Sequence, residues 1–371
     1  MSPLTTMIAA ALAMAPPAAA PTPVASPIAR PAPAEAALPL EAGEGRAVAT
    51  KLADELIRNF VIPAQATRYA AMLRANAASG RYDQGTRGSL TGLMTDDLMA
   101  VHKDGHLKVQ LAPTGDERGG RGGPPKGWPP LIQSAKWISP GIAYIRFTAF
   151  LSTDEEVAAV REFMATHADA KAIIFDLRNH HGGRLGEMDV MFPYLFKART
   201  PLVKMEIARS IFDQNGSPFG EGPTLEIVKD DRTVTTTHWA IPGPATPLRD
   251  AKVILLTSNA TGSAAEHFSL AMKSSGRATL IGEATAGANH FGGPAPLTDH
   301  FAVWMPIGRT YDIKTGADWE GAGVAPDVAV DPKLALVTAL EQLGLGHAEA
   351  VRLDATEVPA EPVHRERLRA R

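Results

Sequence analysis

The chain has 371 residues, 45% of them hydrophobic, a formal net charge of -3 and no cysteine. Its length supports one large core or two smaller ones, and its charge excludes the broad basic field that nucleic-acid binding needs. The missing cysteine excludes disulfides, thiolate zinc sites and cysteine nucleophiles. In chain order, the first feature is MIAAALAMAPPAAA, from Met7 to Ala20, a short apolar run ending in small residues. Its length suits the apolar stretch of a signal peptide, and Ala18-Ala19-Ala20 suits an A-x-A cleavage site. A signal over residues 1–20, and hence export to a periplasm or the exterior, is the expectation, although no Lys or Arg precedes the run. Pro16 and Pro17 break it, and it is too short to span a bilayer. No other segment is apolar enough for an integral span. The Ala/Pro-rich stretch over 21–44 is expected to be a disordered tether.

Residues 45–112 read as a small helical domain. AVATKLADELIRNFV places Val48, Leu52, Leu56 and Phe60 at helical spacing. ATRYAAMLRANAASG is a second helix, stopped at Gly80. SLTGLMTDDLMAVHKD is a third, with Leu90, Leu93, Met94, Leu98 and Val101 on one side. A Gly/Pro-rich loop is expected over 113–131. Residues 132–345 then alternate between buried strands and helices. GIAYIRFTAF, KAIIFDLR, VILLTS and RATLIGEAT read as strands. STDEEVAAVREFMATHA, MDVMFPYLF and AAEHFSLAMKSS read as helices, the first capped by Ser152 or Thr153 with Glu155 and Glu156 in its first turn. That alternation predicts an α/β (α+β) fold with a parallel or mixed sheet. Residues 346–371, ending HRERLRAR, read as a solvated tail.

Three polar, glycine-bearing clusters follow buried strands, where open α/β folds place their sites. They are FDLRNHHGG (Phe175–Gly183), TSNATGSAAEHF (Thr257–Phe268) and GEATAGANHFGG (Gly282–Gly293). Ser263 opens a helix after the second strand. It spells an S-x-x-E capping box with Glu266, yet the same position would present its Oγ at the positive end of a helix dipole. The N–H of Ala264, with one from Gly182 or Gly183, would then form an oxyanion hole. A cap and a nucleophile make competing use of the hydroxyl.

These clusters resemble the tail-specific, or carboxy-terminal processing, serine peptidase family. Its D-L-R-x-N-x-G-G, T-x-S-A-x-E and G-E-x-T-x-G turns match DLRNHHGG, TGSAAE and GEATAG. WEGAGVAPDVAV (Trp319–Val330) and KDGHL (Lys103–Leu107) are similar to two further family segments, in the same order. The bacterial processing enzymes carry a lysine just after the third turn. Ala288 stands there here, and no lysine follows before Lys314. The closer resemblance is to the branch of the interphotoreceptor retinoid-binding protein modules and the tricorn core protease. That resemblance implies a crotonase-like spiral of ββα units without a PDZ domain, and a Ser263–His106–Glu320 site cleaving peptides or unfolded protein tails.

In that site His106 would take the serine proton and Glu320 would orient the imidazole. The branch's serine before the histidine is replaced by Gly105. His290, just past the third turn, is a competing base. His180 and His181 stand where the family turn carries Asn-Pro. Together with His267 and His290 they raise a metal reading, but no ligand spacing supports it, so neither metal nor cofactor is expected. Two other functions fit the same fold: a lipophilic-ligand-binding module with an inactive site, and an esterase using the same serine. Nothing in the sequence specifies an oligomer.

Overall fold

The computed structural model describes residues 33–112, 129–357 and 359. The expected signal and most of the Gly/Pro loop lie outside the described residues. The described chain is already folded from Pro33, within the stretch expected to be a tether. A short helix α1 (Pro33–Ala37) precedes α2 (Glu44–Asn59), α3 (Pro63–Ala78) and α4 (Arg87–Val101). The reason is Arg87, only 5% exposed. Its guanidinium bonds Glu35 at 2.6 Å, Glu44 at 3.0 Å and Glu41 at 3.3 Å, so a buried cation draws in the acidic residues on either side of residue 40.

Val48, Leu52, Leu56 and Phe60 are buried as their spacing predicts, and Gly80 takes the left-handed φ of 78° just past α3. The helical segment does not form a core of its own. Its apolar faces pack with Leu107, Val109, Leu111, Phe301, Val303 and Met305 into one cluster. The strands responsible are β1 (Lys108–Leu111), which falls inside the expected helical domain, and a long strand near residue 305.

Between them the chain runs β2 (Ile132–Ser139), β3 (Ile142–Phe147), α5 (Asp154–Thr166), β4 (Ala172–Asp176), α6 (Gly186–Leu195), β5 (Thr200–Ala208), α7 (Arg209–Asn215), β6 (Leu225–Lys229), β7 (Thr233–Ala240), β8 (Lys252–Thr257), α8 (Ala264–Ser274), β9 (Thr279–Gly282) and β10 (Phe291–Pro296). It ends with β11 (Phe301–Asp312), β12 (Val328–Ala329), α9 (Ala335–Gln342) and α10 (His347–Asp354). The last helix packs on α9, so part of the expected tail is ordered; Ala350 is fully buried.

Two six-stranded sheets result among the described residues. One, in order β12-β9-β8-β4-β3-β2, is parallel except for the β2–β3 hairpin. Its strands are covered on one face by α5, α6 and α8 and on the other by α9 and α10, as the continuous apolar runs require. The other is antiparallel, β1-β11-β5-β7-β6, with β10 also on β11. The architecture is thus mixed α/β, with ββα units preceded by helices. No helix among the described residues is long and apolar enough to cross a membrane.

The carboxyl end of β4 is anchored by a buried charge network. Asp176, with no exposure, accepts from Arg178 at 2.7 and 2.9 Å, from Arg146 at 2.9 Å and from the Tyr144 hydroxyl at 2.7 Å. Burial opposes its charge, but the two guanidiniums outweigh that and hold its carboxyl well below the usual range. Replacing Asp176 with Ala strands both cations in the interior. We expect Asp176→Ala to lose about 3–5 kcal/mol in urea unfolding followed by circular dichroism. A change below about 1 kcal/mol would show that the network adds little.

Candidate active site

β4, β8 and β9 are neighbours and parallel, so the three turns that follow them emerge side by side at one edge of the sheet. Main-chain bonds stitch them together. Gly262 N–H donates to His180 O at 2.9 Å, and Ala286 N–H to Thr261 O at 2.9 Å. The Thr261 hydroxyl donates to Leu177 O at 2.7 Å, and the Ser258 hydroxyl donates to Arg178 O.

Ser263 sits at the N-cap of α8 with φ 53° and ψ -117°. Among the described residues, only it and Ser152 are non-glycines at positive φ. Such a conformation costs on the order of 1–3 kcal/mol and persists only where the surroundings impose it. The side chain lies beside the Glu266 amide in capping-box fashion but makes no side-chain cap hydrogen bond. That N–H is taken by the Ser263 main-chain oxygen at 2.8 Å. Only the reverse half of the box is bonded, with Ser263 N–H donating to Glu266 Oε2 at 2.7 Å.

The glycine turn lies directly over the serine. A Cβ added at Gly182 (φ 95°) would stand 2.6 Å from the Ser263 Cβ and 3.2 Å from the Ala264 nitrogen. Of the expected oxyanion donors, Gly182 is already committed, because its N–H donates to His180 Nδ1 at 3.0 Å. Burial pushes that imidazole down to about 3, so it stays a neutral acceptor. Gly183 and Ala264 remain: among the described residues no acceptor is bonded to either N–H.

Glu266 ties the Ser263 turn to the third turn. Its side chain is fully buried and takes four donors: Thr285 Oγ1 at 2.6 Å, Gly287 N–H at 2.7 Å, Ala288 N–H at 2.9 Å, and Ser263 N–H. Burial pushes the carboxyl up to about 7 against the pull of those donors. Only a carboxylate can accept from all of them.

His106 and Glu320 come to the same neighbourhood. A Cβ at Gly105 would lie 3.1 Å from the Ala288 Cβ and 3.4 Å from Glu320 Oε1. His106 is partly exposed and stacks on Trp304, with ring centroids 6.3 Å apart. Its Nδ1 is buried without a partner. Burial pushes the ring down to about 4, with Asp104 pulling the other way. That is well below the ordinary histidine value near 6.5.

The geometry departs from the expectation for Glu320. It makes no hydrogen bond to the His106 ring. Its Oε1 accepts Gly105 N–H at 2.6 Å, and its Oε2 accepts Asn289 N–H at 2.7 Å and His290 N–H at 2.9 Å. It holds the chain on either side of the site instead of the imidazole itself. Asp104, which the sequence reading passed over, does the same work from the other end. Its Oδ1 takes the N–H groups of His106 and Leu107, and its Oδ2 pairs with His290 Nδ1 at 2.7 Å. Burial disfavours the charged His290 ring, but the Asp104 bond and charge outweigh it and raise its value. Asp104, His290 and Glu320 place ligand-type atoms within 4.8 Å of one another. Those atoms are engaged with each other or with main-chain N–H groups. His290 is 1% exposed.

The other histidines of the metal reading do not converge with this cluster. His267 bonds His238, which bonds Asp189, at 2.9 and 3.0 Å. His180 packs edge-on against Phe150, 4.2 Å between centroids.

Glutamine at position 266 would turn an NH2 group toward main-chain donors whichever way its amide faces. We therefore expect Glu266→Gln, despite its shape, to destabilise the fold by about 1–3 kcal/mol in thermal or urea unfolding. Stability equal to that of the unmodified chain would show that the four donors do not need a carboxylate.

A family model described as peptidase family S41 matches residues 141–330. The chain is 26% identical over 216 residues to the chloroplastic C-terminal processing peptidase of Tetradesmus obliquus, covering 56% of this chain and 40% of that one. It is also 26% identical over 191 residues to the carboxyl-terminal-processing protease of Picosynechococcus, covering 51% and 39%. The match thus spans about two fifths of the length of these curated relatives. Among solved structures, a Streptococcus agalactiae lipoprotein superposes with a TM-score of 0.51 at 13% identity, over 81% of this chain and 96% of that one. A Parabacteroides merdae protein described as a candidate peptidase gives 0.51 at 16% identity, over 82% and 95%. At these identities the two structures share the fold. With a family model covering half the chain and the family's three turns assembled at one sheet edge, the chain belongs to peptidase family S41.

Proposed function

We propose that the chain is a serine peptidase acting on peptides or unfolded protein tails through an acyl-enzyme. The observation that carries this reading is the strained Ser263, with no side-chain cap bond and the unbonded N–H groups of Ala264 and Gly183 beside it. A serine that served only as a cap would spend its oxygen on its own helix.

In the proposed reaction Ser263 Oγ attacks the scissile carbonyl carbon while its proton passes to His106. The carbonyl oxygen becomes an oxyanion held by the Ala264 and Gly183 N–H groups. Collapse of the tetrahedral intermediate breaks the C–N bond, and the imidazolium returns the proton to the leaving amine. Water then repeats the sequence on the ester, releasing a carboxylate and regenerating the serine. His106 is favoured over His290 as base because its ring is partly exposed, whereas His290 is enclosed at 1% exposure. Glu320 and Asp104 then act by fixing the backbone that carries both histidines. Export to a periplasm or the exterior remains part of the proposal, and rests on the apolar run at Met7–Ala20.

The test combines a fluorophosphonate probe with turnover of an unstructured peptide. Labelling should fall on Ser263 by mass spectrometry and be lost in Ser263→Ala and His106→Ala, with peptide cleavage lost in parallel. Because the neutral ring is the base, the loss of activity caused by His106 charging should fall near pH 4, below an earlier decline near pH 7 where the buried Glu266 carboxylate that holds the Ser263 turn takes up a proton. No labelling of the folded protein would refute the reading. Labelling with ester turnover and no peptide cleavage would support an esterase instead.

A further inference from the structure

The Gly182–Gly183 turn is set by a rail that the site chemistry does not use. His181 N–H donates to Thr148 O at 2.7 Å, Phe150 N–H donates to Gly182 O at 2.9 Å, and Arg184 N–H donates to Phe150 O at 2.6 Å. Gly183 is the bridged residue opposite Phe150. A bridged residue turns its own N–H away from the strand that brackets it. The rail therefore decides where the free Gly183 donor points. A Cβ at Gly183 would lie 1.8 Å from Phe150 O, so the two strands meet as closely as backbone permits.

The rail ends at Ser152, the second strained serine, with φ 55°. What holds that strain is Glu187, in the first turn of α6. Its carboxylate takes Ser152 N–H at 2.7 Å and the Ser152 hydroxyl at 3.0 Å, and Ser152 Oγ in turn accepts Gly186 N–H at 3.0 Å. Glu187 is 1% exposed and forms no ion pair with a cation among the described residues. Burial pushes it up to about 7, with Glu156 adding a like charge. Its charged form is thus held in the interior at a cost, offset in part by the Ser152 bonds.

We infer that Glu187 is a positioning residue for acyl transfer: acting through Ser152, it pins the Thr148–Ser152 rail and so aims the Gly183 N–H at the oxyanion. This rests on the serine-peptidase reading.

Losing the pin leaves the turn in place but loosely aimed, and a misplacement near 1 Å can cost about 100-fold in rate. Glu187→Ala should lower kcat for peptide cleavage, and the rate of Ser263 labelling, by about 10–100-fold with KM changed less than about twofold. Glu187→Gln can still accept Ser152 N–H and can donate to Ser152 Oγ. It should recover kcat to within about threefold, with a melting temperature equal to or above that of the unmodified chain. Ser152→Ala should lower kcat in the same sense. Hydrogen exchange over 148–153 and 181–186 should quicken in Glu187→Ala and not in Glu187→Gln, whether or not the protein is active. Unchanged exchange in Glu187→Ala, unchanged kcat, or a glutamine variant no better than alanine would overturn the inference. An unmodified protein that neither labels nor cleaves would instead refute the peptidase reading.

Discussion

A carboxylate taken out of water must be surrounded by donors, and the donors it gathers become fixed to one another. Glu266 imposes that condition on this fold. It leaves α8 at its first turn and closes onto Thr285, Gly287 and Ala288. The segment after β9 is thereby bound to Ser263. Ala288 in turn abuts Gly105, so the loop bearing His106 is located by the same contact. Glu320 and Asp104 complete the arrangement from opposite sides, both through main-chain N–H groups. Three buried carboxylates thus do what a metal does elsewhere: each gathers segments distant in sequence around one point of charge.

That division of labour changes what the acidic residues mean for the chemistry. In a Ser-His-carboxylate triad the carboxylate touches the imidazole and stabilises its charged form. Here Glu320 spends both oxygens on backbone, and His106 Nδ1 is enclosed without a partner. An imidazole without a paired carboxylate, pushed down to about 4, is a weaker base than one near 7. On the proposed mechanism, the free Ala264 and Gly183 donors, and the strain at Ser263, carry more of the rate. Gly105 is consistent with this: the residue before His106 contributes only its N–H, and Glu320 uses it.

Much of the site was legible because its parts are local. A buried strand followed by a permissive turn is visible in KAIIFDLRNHHGG, in VILLTSNATGS and in RATLIGEATAG, and all three were found. Parallel neighbours bring such turns together without further information. The second sheet was missed for physical reasons. TVTTTHWA in β7 mixes threonine and histidine with Val234 and Ala240 among its buried positions, FGGPAP in β10 has glycine and proline where strands usually have branched residues, and β1 is too short to show a period. These strands are strands because β11 pairs with β1, β5 and β10, and β5 in turn with β7, which are long-range facts. Roles that depend on which N–H a side chain reaches were equally invisible. Asp104 looks like a surface turn residue, Glu266 like half of a capping box, and His180 like a ligand rather than the acceptor of the Gly182 N–H.

The most direct test is a crystal structure of the protein with a peptidyl phosphonate on Ser263. The account predicts the phosphoryl oxygen within about 3.1 Å of both the Ala264 and Gly183 nitrogens, with the Gly182 N–H still on His180 and the His106 ring facing the serine oxygen. A phosphoryl oxygen turned to solvent, or held by donors elsewhere, would contradict it.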